Sequence, residues 1–417
     1  MSSKSVALRC LIVVLTLILV FTVISQGFVA HGDQTADSWP MFSHDPQRTG
    51  RTESPAVDVS QLLWKYKTGG HVTSSPAVVD GSVYFGSWDK YLYSLDAKSG
   101  DVNWKYKTGD SVISSPAVVD GTVYIGSWDS YVYSLDAKNG SLIWRYKTGD
   151  AVNSSPAVVD GKIYIGSLDS EMYCLDIGTG EVLWRFKTEG SVYSSPAVVD
   201  GKVYFGSLDN YLYALDAEDG SLLWKYKTED TIVYAPGVVD GTVYVGSLDN
   251  YTYALDAESG SLNWKYKTNG WIHASPALAE GKVFIGSDDS YLYSLDAKNG
   301  SLIWKYKAGD SIAASQAFAN GVVYTGSDDY YVYALDAKTG EVLSRFKTED
   351  TVCSSPAVVD GKVYVGSDDF YLYAFGKEET PLFLSYELYA GVITVAIGIA
   401  GAAAYYYWHK LSIYRFN

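Results

Sequence analysis

The chain has 417 residues, 47% hydrophobic and 19% charged, with 39 Gly, 37 Tyr, 12 Trp and a net charge of −16. That composition is too apolar for disorder and lacks a Gly-X-Y period, and its acidic excess argues against nucleic-acid binding, because no basic surplus exists to displace phosphate counterions. Three cysteines, Cys10, Cys174 and Cys353, supply neither a disulfide scaffold nor a Cys-based zinc site.

In chain order, the first element is a membrane signal. Lys4 and Arg9 precede an apolar run from Cys10 to Ile24, and no acid occurs before Asp33. Residues 1–30 are expected to be a signal peptide cut after Ser25, or an uncleaved signal anchor. A lead-in segment follows at 31–60. From 61 to 376 one unit repeats eight times: Gly81, Gly121, Gly161, Gly201, Gly241, Gly281, Gly321 and Gly361 recur every 40 residues. Within the unit the hydrophobic period is two, as in Val83/Phe85, Tyr91/Tyr93/Leu95 and Trp104/Tyr106, which predicts strands. Asp80-Gly81 signals a tight hairpin, and Gly86–Asp89 and Asp96–Gly100 two further turns. The strands are expected at about 73–79 (A), 82–87 (B), 91–96 (C) and 102–108 (D), which make a propeller blade.

The eighth unit stops without a D strand, while a lone D strand, Gln61–Thr68, precedes the first A. The expected fold is therefore all-β, an eight-bladed β-propeller closed by an N-terminal strand. After it come a short stalk at 377–387 and an uncharged stretch at 388–408, long enough to cross ~30 Å of hydrocarbon as a helix. Tyr405–Trp408 form an aromatic belt, and Lys410 and Arg415 in the tail at 409–417 place that tail in the cytoplasm and the propeller outside the cell. The expected localisation is the cell membrane, single-pass.

Ala334, Asp336, Thr339 and Gly340 fit the pattern A-x-D-x-x-T-G-x-x-x-W, with Ser344 in place of Trp, and Ala214, Asp216, Gly220 and Trp224 fit it in another blade. The pattern resembles the tryptophan-docking motif of the PQQ-repeat propellers, the quinoprotein alcohol dehydrogenase-like superfamily. Trp39–Gly50 is similar to lead-ins found before such propellers. The resemblance implies a structural docking role for Trp64, Trp104, Trp144, Trp184, Trp224, Trp264 and Trp304, one per D strand. Ser344 predicts a weak junction beside that blade.

In the dehydrogenases of that superfamily, PQQ and calcium sit on the axis with a catalytic Asp and a vicinal Cys pair. This chain has no adjacent cysteines and no C-x-x-C-H signature, and its units are nearly identical, so no catalytic residue is assigned and PQQ is not expected. Asp89 and its seven equivalents read as turn formers. Blades six to eight add a second acid, giving the pairs Asp288-Asp289, Asp328-Asp329 and Asp368-Asp369, which would suit Ca²⁺ if any metal binds. Alternating Lys and Arg on the D strands read as edge protection. Asn139, Asn153, Asn250 and Asn299 begin N-glycosylation sequons.

Two function classes remain: a non-catalytic extracellular module or scaffold binding a protein or glycan, and a quinoprotein-like oxidoreductase using PQQ and Ca²⁺. Copies differ most on the B–C and D–A loops, so Trp88, Trp128, Tyr234, Trp271 and His273 are the expected ligand surface.

Overall fold

A computed structural model describes residues 37–377 and residue 405. The expected signal at 1–30, stalk, membrane segment and tail lie outside the described residues, save Lys377 and Tyr405. Among the described residues no helix is long and apolar enough to cross a membrane.

Residues 61–376 form eight sheets of four antiparallel strands, each running from the axis to the rim. Blade 1 has its strands at Ala77–Val79 (A), Ser82–Gly86 (B), Tyr91–Asp96 (C) and Val102–Lys107 (D). The other blades repeat this every 40 residues. The A strand is shorter than expected: Thr73–Pro76 lie outside it, and in blade 7, where Gln316 replaces the proline, the strand is equally short. Asp80 and Gly81 both take positive φ (49° and 71°), the geometry that lets a two-residue turn follow strand twist. Blade 8 takes its D strand from Leu62–Lys67, paired antiparallel to Tyr371–Gly376, so the ring is closed by the N-terminal strand.

Neighbouring blades are locked by the D-strand tryptophans. The Trp104 indole N–H donates to the Ala137 carbonyl of the next blade at 2.8 Å, and Trp64 does the same to Ala97 at 3.3 Å. Each ring lies flat on a glycine of the neighbour's C–D turn. A Cβ at Gly140 would come within 2.6 Å of Trp104, and one at Gly100 within 2.7 Å of Trp64, so no other residue fits beneath. Trp144, Trp184, Trp224, Trp264 and Trp304 repeat the bond to Ile177, Ala217, Ala257, Ala297 and Ala337.

The slot at Ser344 is filled rather than empty. Blade 8 has no C–D turn for a tryptophan to cover, and the chain entering the ring passes there instead. Val57 and Val59 are buried at that place, with the Val59 N–H on Ser344 Oγ at 3.0 Å and the Val57 N–H on the Tyr324 hydroxyl at 2.6 Å. The burial that a Trp would provide comes from the lead-in, which removes the physical basis for a weak junction.

The rim cations also have partners that sequence reasoning missed. Lys105 lies 4.8 Å from the Tyr91 ring centre, and Lys65, Arg145, Lys225, Lys265, Lys305 and Arg345 repeat the contact on Tyr371, Tyr131, Tyr211, Tyr251, Tyr291 and Tyr331. Such cation–π pairs contribute about 0.5–1 kcal/mol at exposed sites. In blade 3 the tyrosine is Glu171, and Lys187 approaches it as an ion pair at 4.0 Å.

The lead-in is part of the propeller. Eight A strands would otherwise present unpaired edges to the axis, and buried N–H groups need partners. Residues 39–52 run around the inside of the ring and contact the inner segments of blades 1 to 7. Trp39 exchanges two backbone bonds with Val78, both 2.8 Å. The N–H groups of Val118, Val198, Val238, Leu278 and Phe318 then donate to the carbonyls of Pro40, Pro46, Gln47, Thr49 and Gly50. Arg51–Thr52 finish the turn as a parallel strand against Ala317–Ala319. Blade 3 is reached by a side chain: Arg48, fully buried, donates to Ser155 and Pro156 carbonyls and, in blade 4, to Pro196. It also donates to Phe42 within the lead-in. Burial pushes its pKa down to about 9, Asp45 partly offsetting this, so the guanidinium stays charged at neutral pH.

Two outcomes follow from these contacts. Deleting residues 61–68 is predicted to leave the blade 8 C strand as an open edge, so that the protein aggregates in analytical ultracentrifugation; a monomer with unchanged melting temperature would refute strand closure. Arg48→Met leaves four buried carbonyls without their donor and should lower unfolding free energy by about 3 kcal/mol or more in urea titrations. An unchanged midpoint would show that the plug is dispensable.

Candidate functional site

Because each A strand starts at a D–A loop and ends at an A–B turn, the axis has two distinguishable ends. The lead-in pairs with Val78 and its equivalents, nearer the A–B turns, and closes the channel on that side. What remains is a funnel of about 260 Å³ whose lining includes Phe42 from the lead-in, Trp88 from a B–C loop, and Thr73, Ser75, Tyr234 and Cys353 from the inner segments. It opens on the B–C/D–A face.

A circuit of serines braces its wall. The Ser75 N–H donates to Ser115 Oγ at 3.0 Å, Ser115 to Ser155 and Ser155 to Ser195. The chain of bonds resumes from Ser275 to Ser315, Ser355 and back to Ser75. It is interrupted at blade 5, where Ala235 has no hydroxyl and Tyr234 takes the slot that Ser74 fills in blade 1. A tyrosine is too large for that buried slot, so its ring enters the funnel. The Ser-Ser-Pro text of the repeat was the available signal for this circuit, and the break in it singles out Tyr234.

The five residues expected to form a ligand surface lie on this face in two groups. Trp88 and Trp128 have ring centres 5.8 Å apart, and His71 extends that arc, 5.5 Å from Trp88. Tyr234, His273 and Trp271 form the second arc, with His273 centred 5.8 Å from Tyr234 and 5.7 Å from Trp271. Trp88 and Tyr234 line the funnel itself. Trp271 is the most open, 53% exposed.

The six aspartates separate into two kinds. Asp289 accepts hydrogen bonds from the backbone of Tyr291 and Asn269 and from the Tyr293 hydroxyl, and Asp329 and Asp369 are bound in the same way. Their carboxylates hold turns, as in Asp89. Asp288, Asp328 and Asp368 instead stand on the mouth, at the place Trp88 holds in blade 1. Asp288 meets His273 Nδ1 at 3.1 Å and Ser311 Oγ at 2.8 Å. Burial pushes its carboxyl up, but those bonds and the imidazole outweigh it and hold it below its usual range. Asp368 accepts from Thr351 Oγ1 at 2.9 Å and lies 3.8 Å from His71. Asp328 has no such histidine: its contact is the Cys353 thiol, 3.7 Å away, and its charged neighbours are Asp310, Asp288 and Asp368. Burial, then this repulsion, pushes its carboxyl up, and burial raises Asp368 as well. Burial and the two carboxylates push the Cys353 thiol to about 12, so it is a neutral thiol at physiological pH. Among the described residues no group of three or more His, Cys, Asp or Glu is gathered closely enough to hold a metal ion.

The sequons also divide. Asn139 and Asn299 are on exposed C–D turns, each accepting only a local bond from Ser141 or Ser301. Asn153 lines the funnel and accepts from the Trp128 indole at 3.1 Å, while the Asn250 side-chain oxygen is buried.

The raised Asp328 pKa sets a sign for pH dependence. A carboxyl whose folded value exceeds its unfolded value favours folding when protonated and loses that contribution as pH rises. Asp328→Asn is therefore predicted to raise the melting temperature at pH 7. The gain should shrink on acidification and vanish below the ordinary value of 3.8. A variant destabilised at pH 7, or a gain independent of pH, would contradict the geometry.

Comparison with known proteins agrees with the fold. The family model described as the β-propeller of beta-alanine-activating enzyme matches residues 56–239, and that of outer membrane protein assembly factor BamB matches 229–317 and 307–380. No curated protein sequence matches significantly. Among solved structures, BamB from Moraxella catarrhalis is 17% identical with a TM-score of 0.66, covering 76% of this chain and 99% of its own. A europium-containing methanol dehydrogenase is 14% identical at TM-score 0.73, covering 82% and 99%. Quinohemoprotein alcohol dehydrogenase from Comamonas testosteroni is 17% identical at TM-score 0.71, covering 85% and 83%. At these identities the likeness is one of fold.

Proposed function

We propose that this chain, which belongs to the PQQ-repeat β-propellers, is a non-catalytic binding module whose ligand seats on the B–C/D–A face over the axial funnel. The observation that carries this reading is a broken symmetry. Seven docking tryptophans and eight turn aspartates repeat around the ring. The mouth position instead reads Trp88, Trp128, Leu168, Leu208, Leu248, Asp288, Asp328, Asp368. That change from indole through leucine to carboxylate at one structural position makes this face of an eightfold scaffold asymmetric. The lead-in supports the same reading, since it closes the other end of the channel and leaves one mouth for a ligand.

A quinone cofactor suits this funnel poorly. PQQ is a tricarboxylate, and the funnel lining contains no Lys or Arg. The nearest guanidinium, Arg48, is committed to four backbone carbonyls, and the mouth carries carboxylates. Scaffolding between proteins is the use this face supports, with glycans as the other ligand class its aromatic arcs would accept. The signals at 1–30 and 388–408 support a propeller held outside the cell membrane by its C-terminal segment, with Asn139 and Asn299 open to glycosylation there.

A glycan array and a pull-down of cell-surface proteins with the full-length chain would identify the ligand. Alanine at Trp88, Trp128 and Trp271 should then weaken binding of that ligand by about tenfold or more each, the range of an aromatic anchor, without lowering the melting temperature. If changes at Lys98 and Lys202, on the opposite face, weaken it instead, the binding face is wrong. A new quinone absorbance band after incubation with PQQ and Ca²⁺ would favour the oxidoreductase alternative.

A further inference from the structure

The mouth of the funnel is polarised, and this polarity specifies a ligand chemistry. Trp88, Trp128, Leu168, Leu208 and Leu248 make one continuous apolar arc, and Asp288, Asp328 and Asp368 make the remaining acidic one. The two acids at the ends of the acidic arc each face a histidine, at 3.1 Å for Asp288 and 3.8 Å for Asp368. The middle one faces only other carboxylates and a thiol. Asp328 and Asp368 share the Cys353 thiol, at 3.7 and 3.9 Å, and carboxylates partly out of water are costly unless a cation joins them.

Two independent features point to a ligand at the same place. Tyr234 is half-buried in the funnel wall, its hydroxyl makes no hydrogen bond among the described residues, and Cys353, Asp288 and Asp328 are the charged or ionisable groups around it. One carboxylate oxygen of Asp368 is also buried without a hydrogen-bond partner. A phenol open to the funnel beside Cys353, whose thiol lies 3.7 Å from Asp328 and 3.9 Å from Asp368, can line one side of an ammonium or guanidinium group. Its ring adds the attraction of an aromatic face for a cation.

We infer that the funnel mouth binds an amphipathic organic cation, with its ammonium or guanidinium among Asp288, Asp328, Asp368 and Tyr234 and its apolar body on the Trp88–Leu248 arc. This inference rests on the binding-face reading above and names the chemistry that face selects. A free amine and the Lys or Arg side chain of a protein partner share that chemistry. Ca²⁺ does not share it, because an ion without an apolar body gains nothing from the tryptophan and leucine arc.

Isothermal titration of the full-length protein in nanodiscs separates these cases. The probes are phenethylammonium, the peptide acetyl-Leu-Lys-amide, their neutral counterparts 2-phenylethanol and acetyl-Leu-norleucine-amide, and CaCl₂. Saturable binding of at least one cationic probe is expected, with its neutral counterpart binding about tenfold or more weakly. A tighter peptide points to a protein source, and a tighter amine to a free metabolite. D328N and D368N should each weaken the cation about tenfold, the range of a charged hydrogen bond, while D200N on the A–B turn leaves it unchanged. D328N is expected to fold at least as well as the parent, so its loss of binding is readable.

The inference is overturned if neither cation binds, if the neutral probes bind equally, if the Asp variants have no effect, or if Ca²⁺ alone saturates the site. Should that happen while Trp88→Ala still weakens a partner found by screening, the binding face stands and only its chemistry is wrong.

Discussion

The structure depends on how eight short inner strands satisfy their axial edges. Each A strand is three residues long, too short to stand alone, and its inward backbone groups have no fifth strand in the repeat itself. A solvated channel would satisfy those groups but leave the blades free to move radially. The lead-in resolves this by threading residues 39–52 around the axis, with Arg48 extending four bonds where the backbone cannot reach. One segment thus ties blades 1 to 7 together, fills the slot beside Ser344, and continues as the D strand of blade 8.

That arrangement couples stability to the candidate site. The plug that closes one end of the channel is also the floor of the funnel, through Phe42. Around it the tryptophan–glycine contacts and the serine circuit hold the wall at nearly uniform spacing, so the mouth residues vary on a rigid frame. Precise placement of a few side chains on such a frame costs little entropy when a ligand arrives. Blade 5 is where the frame gives way: Tyr234 and Ala235 break the serine circuit, and the freed ring occupies the cavity.

Much of the fold was readable from the chain, because periodicity carries it. Gly81 and its seven copies, the alternation in Tyr91–Leu95 and the orphan strand at 61–68 fix the number of blades and the manner of closure without any coordinates. The role of Asp89 was readable for the same reason, since eight identical contexts leave little room for a special task. The lead-in was not. Residues 39–52 have no repeat and no hydrophobic period, and nothing local in Pro46–Gly50 reveals that Arg48 is buried among carbonyls contributed by residues 107 to 148 positions away. Lys105 looked like edge protection because its partner, Tyr91, is across a strand pair rather than adjacent. At the candidate site, comparing copies named Trp88, Trp128, Tyr234, Trp271 and His273, which the fold brings onto one face in two groups, while the isolation of Asp328 among carboxylates needed three blades brought side by side.

The central claim is that the one open end of the channel selects a cation with an apolar body. A crystal structure of the propeller grown with phenethylammonium tests it most directly. The account predicts electron density in the funnel mouth, with the nitrogen within hydrogen-bond distance of Asp328 or Asp368 and the ring against Trp88. Density on the A–B/C–D face, or a mouth holding only water at saturating amine, would contradict it.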